Sequence, residues 1–317
     1  HVAHRDQGYG LTVQDVDAFQ EDSVSLLIAC DLGSTDYAAA EHCQLMGIDL
    51  LIVDHHQIEE PYPPAVGIIN PLRPDCPFGY TSMATVGLSF YVLAGLRTRL
   101  LTDGHFPAAR IPDPKEMLDI VAMGTLADVS HLRGINRILV RHGISRMNHH
   151  LRPSLKALCA VSGVGDNSPL NEKQIVFKLV PKLNAPGRMG DASLSLKLLL
   201  AKAPDESLAL ATQLRDCNTQ RQQLQERIYQ EALDQAQASL DYRWCIVVSG
   251  DDWHPGIVGI AAAKLSEKFR RPAAVIALNG DVGRGSVRSY GNINIYAALE
   301  QAREKLLAFG GHKGAAG

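Results

Sequence analysis

Two polar sequences, each directly after an apolar run, hold the residues best suited to chemistry. Asp54-His55-His56 follows the run 50–53, and Asp31 follows the run 24–30. Carboxylates and imidazoles bind divalent metal ions, and desolvating them without a cation or hydrogen-bond partners is costly. The sequence therefore favours a metal-binding site over a polar turn whose two histidines are merely hydrogen-bonded.

The elements around these residues predict how they are positioned. The runs 24–30 and 48–53 are typical of buried parallel strands, and a helix over 36–46 connects them. Because a right-handed crossover returns the chain in the same direction, Asp31 and Asp54 should lie at the same edge of the sheet. Open α/β sheets place their chemistry at that edge.

The remaining pattern predicts an α/β protein of two domains joined by a long helix. The segment 205–240 has no proline or glycine and would be about 50 Å long as one helix. We interpret it as a connector, with a coiled-coil dimer as the weaker alternative. Further strands are predicted at 67–69, 244–249 and 273–278, and further helices at 12–21, 83–101, 114–126, 136–147, 256–269 and 294–308.

Asp128 and Arg5 have two interpretations each. Asp128 ends the predicted helix 114–126 and could cap the next segment or act as a further metal ligand. Arg5 is the single basic residue among residues 1–60, which hold twelve Asp and Glu. It could therefore be a structural ion-pair partner or a residue that binds an anionic ligand. The acidic residues around it suit divalent cations.

Three glycine-rich segments predict contacts with phosphate. In 184–191 a glycine-flanked arginine, Arg188, is predicted just before a helix, where backbone amides and a guanidinium can bind an anion. The segments 283–289 and 310–317 let the backbone approach a ligand closely. The donors they offer to phosphate oxygens are Ser286, Arg288 and His312.

Length and composition limit the class of protein. At 317 residues the chain is too long for one ordinary core and suggests two domains. The formal net charge of −3 hides an acidic first 60 residues, an unlikely first contact for a polyanion, so basic side chains elsewhere would have to bind a nucleic acid. No apolar run approaches the roughly 20 residues that span a bilayer. We therefore expect no membrane association and a cytoplasmic location.

The ordered set of motifs resembles the DHH phosphoesterase superfamily, and within it the RecJ family of single-strand-specific exonucleases. The resemblance covers nearly the whole chain and includes the Asp-His-His motif, the segments 1–10, 184–191 and 284–289, and Gly-Gly-His at 310–312. It implies a parallel-sheet DHH domain at 1–190, a helical connector at 191–240 and a smaller α/β DHHA1 domain at 241–317.

The resemblance also implies roles for single residues. Asp31 would bridge two Mn²⁺ or Mg²⁺ ions, and His55 and Asp128 would bind one of them. His56 would face the scissile phosphate, while Asp54 would orient the histidines. The residues implied to hold the DNA phosphates or the 5′ end are Arg5, Arg188, Ser286, Arg288 and His312.

The implied activity is two-metal hydrolysis of single-stranded DNA from the 5′ end, releasing 5′-mononucleotides in DNA repair and recombination. A helicase and a single-strand-binding protein are the implied partners, and a monomer is expected. The alternatives are a small DHH phosphodiesterase acting on nanoRNA, on cyclic dinucleotides or on a 3′-phosphorylated adenosine nucleotide, a non-catalytic DNA-binding relative, and a metal-dependent pyrophosphatase.

The chain begins at His1 without an initiator methionine and stops at Gly317 inside a glycine-rich segment. We therefore expect an internal fragment of a longer protein. The family's first motif, Asp-x-Asp, would lie before His1, which leaves one metal ion without most of its ligands. We expect little or no nuclease activity from this chain alone and full activity from the parent protein.

Overall fold

A computed structural model describes residues 1–3, 10–104, 106–164, 168–238 and 244–317. The chain forms two compact units, one made of residues 1–183 and 195–212 and the other of residues 184–194 and 213–317. Arg5, predicted to contact phosphate, lies outside the described residues. The predicted domain limits at 190 and 240 stay a prediction, because compact units and sequence domains need not share boundaries.

The first unit contains the predicted parallel sheet. Its strands β1 (Leu26–Cys30), β2 (Asp49–Val53) and β3 (Gly67–Ile69) pair in parallel in that order. Strand β2 is central, and its residues Leu50, Ile52 and Val53 are buried, as expected for a parallel strand between layers of helices. The prediction that the first two strands run in the same direction is confirmed.

Helices cover both faces of this sheet. On one face the helical residues Val16 and Cys43 pack with Ile52, and on the other the helical residues Leu88 and Val121 pack with Val53. In chain order the helices up to the end of the long connector are α1 (Val13–Glu21), α2 (Tyr37–Leu45), α3 (Thr85–Asp103), α4 (Leu118–Ala127), α5 (Gly134–His149), α6 (Pro153–Val161), α7 (Glu172–Gln174), a π-helix (Ile175–Leu179), α8 (Val180–Met189), α9 (Ser193–Leu200) and α10 (Pro204–Ala238).

Helix α5 packs closely on α4 at a glycine, Gly143. A Cβ atom at Gly143 would overlap the carbonyl oxygen of Leu118 and the side chain of Ala122, both on α4. We expect Gly143→Ala to lower the free energy of unfolding by about 3 kcal/mol, because the backbone oxygen cannot move aside without displacing the helix. Denaturant unfolding of the variant measures this change.

Gly95 in α3 is the matched control, since a Cβ atom there meets nothing within 4 Å. Gly95→Ala should raise the free energy of unfolding by roughly 0.5–1 kcal/mol, because alanine restricts the unfolded chain and favours the helix. Equal effects of the two substitutions would contradict the close packing of α4 on α5.

The second unit is built on a mixed sheet. Its strands are β4 (Ile246–Gly250), β5 (Ala273–Asn279), β6 (Val282–Arg288), β7 (Gly311–His312) and β8 (Ala315–Ala316), in the order β4-β5-β6-β8-β7. Only β4 and β5 pair in parallel, connected by α11 (Pro255–Phe269) as predicted. Ile228 of α10, Ile257 of α11 and Val275 of β5 belong to the core of this unit.

In the second unit the structure differs from the sequence-based prediction in two places. The helix expected over 294–308 is only α12 (Ile295–Glu300), followed by a 3₁₀ turn at Arg303–Lys305. Of the residues in α12 only Ile295 is buried, so there is no apolar face to stabilise a longer helix. The glycine-rich segment 283–289 is largely strand β6, where a Cβ atom at Gly283 would crowd Ile276.

Within the described ranges, no helix combines the length and the apolarity needed to cross a membrane.

Candidate active site

Asp31 follows β1 directly and is fixed by its backbone. Its N–H donates to the carbonyl oxygen of Val53 at 3.0 Å, which extends the sheet ladder to the residue itself. Its φ of +69° lies in the left-handed region, which aspartate tolerates better than most non-glycine residues. This turn projects the carboxylate from the end of the strand, with its side chain 64% exposed.

Asp54 follows β2 and is buried, with 1% of its surface exposed. Its Oδ1 accepts from the N–H of His55 at 2.8 Å and from Nδ1 of His56 at 2.7 Å. Its Oδ2 accepts from the N–H of Ser34 at 3.3 Å. Burial raises the pKa of Asp54, but the hydrogen bonds from His56 and Ser34 outweigh it and hold the pKa well below its ordinary value. Asp54 is therefore an anion that orients the histidine pair.

His55 lies between two carboxylates. Its Nε2 is 3.4 Å from Oδ1 of Asp31 and 3.7 Å from Oδ1 of Asp128. Two donor atoms that bind one ion at about 2.0–2.2 Å are roughly 3.0–3.7 Å apart at bond angles of about 90–120°. Each carboxylate therefore lies at a distance from His55 that fits a shared divalent cation, and oxygen and imidazole donors together suit Mn²⁺. The ligand atoms that all lie within 4.8 Å of one another are those of Asp31, His55 and His56, a group that does not include Asp128.

Asp128 is placed by the end of α4. It is the C-cap residue of that helix, and its Oδ2 accepts a hydrogen bond from Oγ of Ser130 at 2.6 Å. This bond leaves Oδ1 directed toward His55. Asp128 does not cap the next helix, because the N-cap position of α5 is Arg133, and its role as a metal ligand stays a prediction.

His56 is also close to this group. Asp31, His55 and His56 each offer a ligand atom, and these atoms lie within 4.8 Å of one another. The hydrogen bond to Asp54 raises the pKa of His56, and the charges of Asp31 and Asp128 add to this against the effect of burial. His56 is thus suited to hold a proton and donate it to an anionic ligand.

Sequence reasoning missed two residues that support the site. Asn70 is buried after β3, and its Nδ2 donates to Oγ of Ser34 at 2.9 Å and to the carbonyl oxygen of His56 at 2.8 Å. Asp36 accepts from the N–H of Leu11 at 2.7 Å and so holds the chain that leaves the segment 1–10. Asn70 could have been found, because it is the first polar residue after the third predicted strand.

The predicted phosphate contacts Ser286, Arg288 and His312 lie in the second unit. Nη1 of Arg288 donates to Oγ of Ser286 at 2.8 Å. Arg288 pairs with Ala315, which pairs in turn with His312. Residues directly opposite across a ladder share one face of the sheet, so His312 and Arg288 lie on the same face, about 10 Å apart.

Arg188 is also in the second unit. A helix, α9, begins shortly after it at Ser193, as predicted, but Arg188 is itself helical and not part of a loop. It lies in the last turn of α8, which continues through Pro186 and Gly187 because the neighbouring Ala185 is buried. A Cβ atom at Gly256 would overlap the Arg188 carbonyl, so this segment packs tightly on the first turn of α11. One turn further along α11, a Cβ atom at Gly259 would lie 3.0 Å from both Ser286 Oγ and Arg288 Nη2.

Known proteins share both parts of this arrangement. The model of the DHH family, N-terminal domain, matches residues 2–125, and the DHHA1 domain matches residues 241–317. A crystal structure of exonuclease RecJ bound to manganese is similar with a TM-score of 0.82 and 31% sequence identity, over 100% of this chain and 76% of that one. The chain belongs to the RecJ family.

Curated RecJ proteins are similar over almost all of the chain. The single-stranded-DNA-specific exonuclease RecJ of Escherichia coli is 37% identical over 324 residues, which is 98% of this chain and 56% of that protein. The RecJ of Thermus thermophilus is 32% identical over 317 residues, covering 100% of this chain and 44% of that protein. The chain thus spans about half the length of the curated RecJ relatives it matches.

The α/β architecture expected from the resemblance is confirmed, with a parallel sheet and a long helix leading to a second sheet. In the first unit the structure brings together Asp31, His55, His56 and Asp128, with Asp54 behind the histidines. In the second unit it brings together Ser286 and Arg288, which lie beside Gly259 of α11, and places the backbone carbonyl of Arg188 against Gly256 of the same helix.

Proposed function

We propose that the protein containing this chain is a single-stranded-DNA-specific exonuclease that removes 5′-mononucleotides by metal-dependent phosphodiester hydrolysis. The observation that carries the proposal is His55 Nε2 lying 3.4 Å and 3.7 Å from the carboxylates of Asp31 and Asp128. The family membership supports it, since the curated relatives are named single-stranded-DNA-specific exonucleases. The small phosphodiesterase, pyrophosphatase and non-catalytic alternatives gain no support from those relatives.

Three residues of the first unit would bind the metal ion that hydrolysis requires. Asp31, His55 and Asp128 would hold a Mn²⁺ or Mg²⁺ ion, and related RecJ structures carry these metals. When bound, such an ion lowers the pKa of water and neutralises charge on the phosphoryl group. Asp31 would also help to hold a second ion of the same kind, as the RecJ resemblance implies.

His56, next to the proposed metal ligands, would bind the phosphate. Asp54 keeps Nδ1 of His56 engaged, which fixes the ring and leaves Nε2 as a donor to a phosphate oxygen. In the second unit Arg188, Ser286, Arg288 and His312 would bind phosphates or the 5′ end through charge-assisted hydrogen bonds. Arg5 would assist from outside the described residues. A helicase and a single-strand-binding protein remain proposed partners, and a monomer the proposed state.

The test uses the complete gene product and single-stranded DNA labelled at its 3′ end. With Mn²⁺ or Mg²⁺ we expect progressive shortening from the 5′ end, release of mononucleotides and no cleavage of blunt duplex DNA. Hydrolysis of dinucleotides or pyrophosphate without hydrolysis of long strands would contradict the proposal.

Metal preference gives a separate prediction. His55→Gln should weaken Mn²⁺ binding more than Mg²⁺ binding, because an imidazole ligand favours Mn²⁺. Isothermal titration of both ions measures this directly. His42→Gln is the matched control, since His42 bonds to Asp17 at 2.6 Å and belongs to no metal cluster of the described residues. Equal metal affinities in the two variants would remove His55 from the ligand set.

A further inference from the structure

The segment that follows α4 and contains α5 is basic. Residues 129–165 hold six Lys or Arg and four His but no Asp or Glu, although the whole chain has 34 acidic residues against 31 basic ones. The arginines at the N-cap of α5 and within it are Arg133, Arg137, Arg141 and Arg146. Within the described part of the chain, none of these four arginines forms an ion pair. A basic helix without internal counter-ions is the electrostatic pattern of a surface that binds a polyanion.

The second half of α5 lines a groove in the first unit. The groove has a volume of about 300 Å³ and also contains Lys115, from the 3₁₀ turn Pro114–Met117 that precedes α4. The side chains that α5 and its C-cap contribute are His142, Ser145, Arg146, His149 and His150. None of the described residues that line the groove is a carboxylate. The polar part of the lining therefore consists of basic groups and one hydroxyl.

Arg146 is oriented in the groove by its backbone contact. Its Nε donates to the carbonyl oxygen of Glu116, the residue after Lys115, at 3.1 Å. A guanidinium has five N–H donors, so the four N–H groups of the two Nη atoms remain for a ligand. The neighbouring carboxylate of Asp119 is already bound by Arg152 at 2.6 Å. Two permanent positive charges, on Lys115 and Arg146, therefore share one groove.

The shape of the groove favours a polymer over a small ligand. Its lining residues are exposed apart from Leu118 and Arg146, so the groove is open to solvent. Sites for small molecules enclose most of the ligand surface, which this groove does not do. An open basic groove suits the backbone of a strand that passes across it.

Helix α4 sets the distance between the groove and the proposed metal site. Leu118, the first residue of α4, lines the groove, and Asp128 is the C-cap at the other end. The helix has 10 residues and is therefore about 15 Å long. Stacked nucleotides rise by roughly 3.4 Å each, so about four or five of them cover this distance. A strand whose 5′ end lies at the metal site can thus reach the groove.

We propose that this groove binds a backbone phosphate of single-stranded DNA on the 3′ side of the cleaved bond, an inference that rests on the proposed exonuclease function. Lys115 and Arg146 supply the charge, and the hydroxyl of Ser145 and the imidazole of His142 supply further donors to phosphate oxygens. The arginines on the exposed surface of α5 extend the positive charge beyond the groove. Because the contact is to the backbone, it should not depend on base sequence.

The test removes the two permanent charges of the groove. Lys115→Gln should lower the affinity for a fluorescent oligothymidylate of about 15 nucleotides roughly threefold, and Lys115→Gln with Arg146→Gln about tenfold, as for exposed ion pairs. The slope of log K against log salt should become shallower by about 0.7 and about 1.4, respectively. Binding is measured on the complete gene product in EDTA, so that no hydrolysis occurs. Unchanged affinity and slope in the single variant overturn the proposal even if the double variant does not fold, because Lys115 is exposed and its substitution should not disturb folding.

Strand length separates the groove from the metal site. A thymidine trinucleotide has one phosphate beyond its first scissile bond and is too short to cover the length of α4. With Mn²⁺, kcat/KM for the long strand should fall about tenfold in the double variant, whereas kcat/KM for the trinucleotide should stay unchanged. Equal losses on both substrates would place the effect at the metal site and overturn the groove.

Arg99→Gln with Lys268→Gln is the matched control. It removes the same two charges from exposed positions on α3 and α11 that do not line the groove. Lys268 is about 14 Å along α11 from Gly259, which lies beside the proposed phosphate contacts of the second unit. The control should leave affinity and slope unchanged. A fall equal to that of the groove variant would reduce the effect to net charge and overturn the proposal.

The two proposals fail in different ways. A parent protein that binds single strands but hydrolyses none would overturn the proposed function, while weaker binding in the groove variants would still support the groove. Normal hydrolysis of long strands together with unchanged binding in the groove variants would overturn the groove alone.

Discussion

Asp31→Asn is expected to lower the rate of DNA hydrolysis by several orders of magnitude while leaving the affinity for single-stranded DNA nearly unchanged. The substitution removes a negative charge 3.4 Å from Nε2 of His55, at the proposed metal site, but keeps the shape of the side chain. Asparagine also tolerates the φ of +69° at this position, so the turn after β1 should survive. Turnover, Mn²⁺ affinity and strand binding are measured on the complete gene product.

Asp49→Asn is the matched control for Asp31→Asn. Asp49 is exposed at the amino end of β2, whereas Asp31 follows the carboxyl end of the neighbouring strand. The control makes the same chemical change on the same sheet and should leave turnover unchanged. Activity of Asp31→Asn within about tenfold of the parent would remove Asp31 from the proposed metal site.

The second large effect is expected for Asp54→Asn. Asp54 accepts hydrogen bonds from His55, His56 and Ser34 while it is almost fully buried. An amide cannot stabilise a protonated His56, and its NH₂ group would oppose one of the present donors. We expect turnover to fall by about 10–100-fold with weaker Mn²⁺ binding, as for other residues that orient metal ligands.

Asp119→Asn separates this effect from simple loss of stability. Asp119 is 1% exposed, like Asp54, but its two oxygens accept from Nη2 and Nε of Arg152 at 2.6 Å. Its substitution should lower the free energy of unfolding by about 3 kcal/mol without changing turnover of the folded enzyme. If both variants lost activity in proportion to stability, the orienting role of Asp54 would be refuted.

The core of the site was predictable because it depends on local pattern. The apolar runs before Asp31 and Asp54 predicted two parallel strands, and the register pairs Cys30 with Val53 at their carboxyl ends. Side chains that follow such strands must meet at one edge, whatever the rest of the fold does. The same rule would have found Asn70 if it had been applied to the short strand β3.

Other features depend on contacts between distant residues. Pro186 and Gly187 predicted a loop before a helix, but packing of Ala185 and of the Arg188 carbonyl keeps this segment helical. Periodicity could not decide the direction of the Asp128 carboxylate, because its partner His55 is far away in sequence. Arg221 could not be distinguished from the many charged residues of α10, since its burial depends on tertiary packing alone.

The bonds of Asn70 link the ends of the parallel strands to one another. Its side chain joins Ser34, after β1, to the backbone of His56, after β2, while Asn70 itself follows β3. None of these three turns can open without breaking hydrogen bonds in another, so their backbone amides should exchange with solvent as one cooperative unit. Such coupling would let the residues of the proposed metal site persist together or be lost together when the protein approaches unfolding.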